Sequence, residues 1–123
     1  MSAPEPAGKR ILIVEDEPHV VRYLETLLQD NGYETLSAAD SQCGLEVAKQ
    51  SRPDLIVLDL MMPGKTGTDF YRNLRKDRVL GSVPIIVVSA APGRNLAVRC
   101  AAAVFDKPID PTAFLSAVER ALE

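Results

Sequence analysis

Cysteine, histidine and long apolar runs are all scarce in this sequence, and each scarcity removes a class of function. The two cysteines, Cys43 and Cys100, have neither CxxC spacing nor a partnering histidine, which argues against a disulfide framework and against a zinc site. Both fall in helix-like segments, where buried or half-buried small apolar side chains are expected. The single histidine, His19, stands in the first turn of a predicted helix with no metal-ligand spacing around it, and reads as solvated. No apolar run approaches the ~20 residues of a membrane span, and Met1 to Arg10 lacks the apolar stretch of a signal peptide. Acidic and basic residues are interspersed around a net charge of −3, so no basic stripe draws nucleic acid. The expectation is a cytoplasmic protein that contacts neither membrane nor nucleic acid directly.

The composition, with 46% hydrophobic and 25% charged residues over 123 positions, suits one domain with one core. Residues 1–8, rich in Pro and small side chains, read as a flexible arm, leaving residues 9–123 to fold. Ile11 to Val14, Leu55 to Leu58 and Ile85 to Val88 are short continuous apolar runs, too short for helices and suited to strands covered on both faces. Thr35 to Ala38 and Val104-Phe105 are weaker strand candidates. Helical spacing runs from Pro18 until Asn31-Gly32, from Ser41 to Gln50, and from Thr68 to about Asp77. A last helix opens at Asp110-Pro111, with Phe114, Leu115, Val118 and Leu122 on one face.

Strands alternating with helices in this way give a parallel sheet with helices on both faces, because the crossovers are right-handed. Chemistry in such sheets gathers at the carboxyl ends of the strands. Glu15 and Asp16 follow the first strand, Asp59 the third, Ser89 the fourth and Lys107 the fifth. Three converging carboxylates repel one another, and a hard cation with oxygen ligands relieves that repulsion, which points to Mg²⁺. Lys107 and the Ser89 hydroxyl suit the oxygens of a phosphoryl group, and Asp59, nearest the loop, suits a nucleophile that would carry it as an acyl phosphate.

Glu15-Asp16, the run Leu55-Ile56-Val57-Leu58-Asp59-Leu60-Met61-Met62-Pro63-Gly64, Ser89-Ala90 and Lys107-Pro108 together resemble the receiver domains of two-component response regulators over nearly the whole chain. The resemblance implies a doubly wound, five-stranded flavodoxin-like sheet of order 2-1-3-4-5. It implies phosphorylation of Asp59 by a sensor histidine kinase or phosphotransfer protein, and relay of the signal by conformational change to a downstream effector domain or protein. It further implies Mg²⁺ held by Asp16, Asp59 and the Met61 carbonyl, with Glu15 acting through water, phosphoryl contacts from Lys107 and Ser89, and a cis Lys107-Pro108 bond. A homodimer is compatible with the resemblance but not required by it.

Taken singly, each site residue has a plainer reading. Glu15 and Asp16 could complement the dipole of the helix that starts near Pro18, and Asp59, Ser89 and Lys107 could be ordinary loop residues. Their joint placement at strand ends favours the site. Gly64-Lys65-Thr66 suggests the end of a phosphate-cradling loop, but that motif needs a glycine where this chain has Asp59. An aspartyl phosphatase of the haloacid dehalogenase type needs a second Asp two positions after the nucleophile, and that position is Met61. A non-phosphorylated interaction module of the same fold is the remaining alternative. Two departures from the receiver pattern stand out. The segment from Ser89 to Lys107 is short and begins Ala91-Pro92-Gly93, so the fourth helix, between the fourth and fifth strands, is expected to be short or absent. The position three before Lys107 holds Val104 instead of an aromatic residue, and Phe105 is expected to pack in the core.

Overall fold

The computed structural model describes residues 9–59, 67–78, 80–89, 103–106 and 109–123. In chain order these form β1 (Arg10–Val14), α1 (Pro18–Gln29), β2 (Glu34–Ala38), α2 (Ser41–Ser51), β3 (Leu55–Leu58), α3 (Gly67–Lys76), β4 (Ile85–Ser89), β5 (Ala103–Asp106) and α4 (Pro111–Ala121). The five strands make one parallel sheet in the order β2-β1-β3-β4-β5, as the resemblance implied. The expected short or absent helix between β4 and β5, the cis Lys107-Pro108 bond and the arm at residues 1–8 lie outside the described residues.

The unbroken apolar runs follow from a sheet buried on both sides. Alternate residues of each central strand point to opposite faces. Leu12, Val14, Ile56, Leu58, Ile85 and Val87 pack on one face with Ala48 of α2 and Leu74 of α3. Ile11, Ile13, Leu55, Val57, Ile86 and Val88 pack on the other with Leu24 and Leu28 of α1 and Phe114 and Val118 of α4. Phe105 packs, partly buried, against this second face, its ring 5.9 Å from that of Phe114 at 67°, on the core side that its sequence position suggested. His19 is solvated as expected, 3.7 Å from the Glu17 carboxylate with its side chain 81% exposed.

Cys43 corrects the sequence reading, because it is exposed. The stripe that α2 turns inward is Ser41, Gly44 and Ala48, and Cys43 falls beside it in the first turn. There its backbone N–H donates to Asp40 Oδ1 at 2.8 Å, which caps the helix.

The ends of α1 and α2 differ in a way that bears on stability. After α1 the chain reverses through Gly32 at φ 90, a left-handed conformation that costs glycine little. After α2 the same role falls to Arg52 at φ 50, whose N–H bonds back to the Ala48 carbonyl. A side chain crowds the backbone in this region, so Arg52→Gly is expected to raise stability by about 0.5–1 kcal/mol. A higher urea midpoint at unchanged slope is the expected readout, and a lower midpoint would contradict it.

Candidate functional site

β1 and β3 are neighbours in register, with Val14 opposite Leu58, so the residues that follow them emerge side by side. The ladder continues past both strand ends. The Asp59 N–H donates to the Val14 carbonyl at 3.0 Å, and the Glu15 N–H donates to the Ala38 carbonyl at 3.0 Å. These bonds fix the backbone of Glu15 and Asp59 at the carboxyl edge of the sheet. Glu15 and Asp59 are each 3% exposed and Asp16 is half-buried.

One carboxylate oxygen from each of Glu15, Asp16 and Asp59 lies within 4.8 Å of the others. Three negative charges at such a spacing cost roughly 3 kcal/mol per pair at an effective dielectric of ~20, before local relief. Part of that relief is built in. The Glu17 N–H donates to Glu15 Oε2 at 3.2 Å, and α1, starting at Pro18, turns its positive end toward the cluster. The dipole reading of Glu15 and Asp16 therefore coexists with the cluster. An all-oxygen, carboxylate-rich set of this kind fits a small hard dication, and Mg²⁺ satisfies it better than a softer metal that seeks nitrogen or sulfur.

The remaining predicted members are placed only in part. Ser89 is the last residue of β4, not the residue after it, and pairs with Asp106 at the end of β5. The topology thus brings Ser89 and the position before Lys107 to the same sheet edge as Asp59. The Ser89 and Val104 side chains, Met61 and Lys107 lie outside what the structure describes.

Two features beside the site were not read from the sequence. The main-chain contact from Glu17 leaves no mark in residue types. A groove of about 430 Å³ also opens from Glu15 and Asp16 over the end of β2, with Arg22 and Glu25 of α1 and Cys43 of α2 along it. The spacing of Arg22 and Glu25 on α1 puts them on one helix face, but only the fold sets that face beside the end of β2.

Residues 11–119 match the response regulator receiver domain. The chain is 36% identical to Protein Rrf1 of Nitratidesulfovibrio vulgaris (strain Hildenborough) over 113 residues, 92% of this chain and 82% of that protein. It is 40% identical to the phosphate regulon transcriptional regulatory protein PhoB of Pseudomonas aeruginosa over 68% of this chain, which is 36% of PhoB. Among solved structures, the response regulator protein TrrA of Thermotoga maritima in complex with Mg²⁺-BeF superposes with a TM-score of 0.84 at 29% identity, covering 93% of this chain and 99% of that one. Among the described residues, no helix is long and apolar enough to cross a membrane.

Proposed function

The chain belongs to the response regulator receiver domain family, and on that premise we propose that Asp59 is its phosphoryl acceptor, served by Glu15, Asp16, Ser89 and Lys107. Receiver domains are signalling domains that accept a phosphoryl group and act as switches. The observation that carries the assignment is the convergence of Glu15, Asp16 and Asp59 within 4.8 Å at the carboxyl edge of the sheet.

The division of labour follows from position. Glu15 has one oxygen engaged by the Glu17 N–H and is set to hold a cation. Asp16, half-buried, reaches the same space from the next residue. Asp59 is held at its backbone by Val14 at the carboxyl end of β3, the edge from which a donor would approach. An Asp59 carboxylate oxygen attacks phosphorus, the bond from phosphorus to the donor nitrogen or oxygen breaks, and its electron pair leaves with the donor. The product is an acyl phosphate on Asp59. Glu15, Asp16, Asp59 and the Met61 carbonyl are the residues that would hold Mg²⁺. Bound there, Mg²⁺ would offset the negative charge of carboxylate and phosphoryl group as they approach. Lys107 adds a point charge for a phosphoryl oxygen, and the Ser89 hydroxyl a hydrogen bond. With Met61 where a turnover phosphatase would carry its general acid, the acyl phosphate persists as a signal and hydrolyses slowly. The donor is a histidine kinase or phosphotransfer protein, and the output passes to an effector domain or protein.

Beryllofluoride, a phosphoryl mimic, tests the site without covalent chemistry. In the presence of Mg²⁺ it is expected to shift the amide resonances of Glu15, Asp16, Asp59 and Ser89 in wild type, and to leave Asp59→Asn unchanged. Equal shifts in the two proteins would rule out Asp59 as the acceptor.

A further inference from the structure

The edge of the sheet opposite Asp59 also gathers charge. α2 and α3 both run back from the carboxyl edge and end where β3 and β4 begin, roughly 13 Å or more away along β3. Lys49 in the last turn of α2, Arg52 at its cap, and Asp77 and Leu80 after α3 line a notch of about 180 Å³. Lys49 and Arg52 are exposed, and neither makes a side-chain hydrogen bond or ion pair among the described residues. The nearby carboxylates are engaged elsewhere: Asp54 Oδ2 accepts from the Arg10 N–H at 2.8 Å, and Asp77 Oδ1 accepts from the Leu80 N–H at 3.0 Å.

A plain explanation covers one of the two cations. A basic residue in the last turn complements the negative end of a helix, and Lys49 does so. It does not cover Arg52. Helix-end complementarity is served equally from neighbouring positions with ordinary backbone angles, yet here the guanidinium is carried on a left-handed residue where α1 uses Gly32 instead. Among the described residues no other non-glycine residue has a positive φ. A local rule broken without local compensation points to a role for the side chain.

We infer that Lys49 and Arg52 form a second, weak anion site, for a phosphate-type oxyanion, at the end of the domain opposite the acceptor. A tetrahedral dianion can engage an ammonium and a guanidinium at once, whereas one carboxylate supplies half the charge. The Asp77 carboxylate on the rim and the negative end of α2 oppose it, which holds the affinity in the millimolar range. The site does not depend on phosphorylation of Asp59 and stands or falls separately from it.

The test is an NMR titration of the full chain, free of Mg²⁺ and at constant ionic strength, with inorganic phosphate, with acetate, and with a phosphoserine peptide. Phosphate is expected to give saturable shifts at the amides of Lys49 to Arg52, Asp54, Leu80 and Gly81, with acetate weaker. Arg52→Gly and Lys49→Ala should each weaken phosphate binding about fivefold or more, while Arg52→Lys stays near wild type. Because Arg52→Gly is expected to fold at least as stably as wild type, its loss of binding is not a loss of fold. A phosphoserine peptide that binds tighter than phosphate assigns the site to a phosphorylated protein segment, and equal binding assigns it to free phosphates. Absent saturation, acetate binding as well as phosphate, or undiminished binding in Arg52→Gly would each overturn the inference.

Discussion

Replacing Asp16 by Asn is expected to raise the melting temperature in Mg²⁺-free buffer and to abolish the further rise that Mg²⁺ gives the wild type. Glu15, Asp16 and Asp59 repel one another across less than 4.8 Å, and the substitution removes two of the three repulsions. Asp16 is half-buried, so solvent screening reduces the gain to roughly 1 kcal/mol, or about 4 °C for a domain of this size. In wild type, Mg²⁺ at about ten times its dissociation constant is expected to stabilise by about 1.4 kcal/mol, since the proposed site is one that only the folded chain assembles. Without Asp16 the ion loses a ligand and part of the charge that attracts it. The order of the two proteins should therefore reverse as Mg²⁺ is added. Calorimetry with and without Mg²⁺ reads both effects. A variant that melts below wild type without Mg²⁺, or that gains as much from the ion, would contradict the assignment of Asp16.

Much of this architecture was legible because burial leaves a direct imprint on residue type. Ile11 to Val14 and Leu55 to Leu58 are apolar at every position because helices cover both faces of the sheet, and their carboxyl ends mark Glu15, Asp16 and Asp59. The weaker strands were found but trimmed. β2 begins at Glu34 and β5 extends from Ala103 to Asp106, since pairing with Arg10 and with Ile86 to Ser89 sets those limits, not hydrophobicity. Ser89 was placed after β4 for the same reason, yet pairing with Asp106 keeps it in the strand.

What stayed hidden depends on backbone conformation or on the direction of a single side chain. Cys43 has the character of a core residue, and only the phase of α2 against the sheet turns it outward. The Glu17 amide that supports Glu15 and the left-handed Arg52 leave no trace in composition. At Arg52 the chain departs from what local preference alone would select.

The central claim is that Asp59 alone takes up a phosphoryl group, and intact-protein mass spectrometry after incubation with acetyl phosphate and Mg²⁺ tests it most directly. The proposed site would itself offset the charge of the donor, so a small reactive donor should suffice without a kinase. Wild type is expected to gain the mass of one phosphoryl group. Asp59→Asn, which keeps the size and removes the nucleophile, should gain none, a loss of labelling limited only by detection. Removing Mg²⁺ should suppress labelling of wild type as well. If wild type gains nothing from acetyl phosphate or from a kinase, or if Asp59→Asn is labelled as fully as wild type, Asp59 is not the acceptor and the domain acts as an unphosphorylated interaction module.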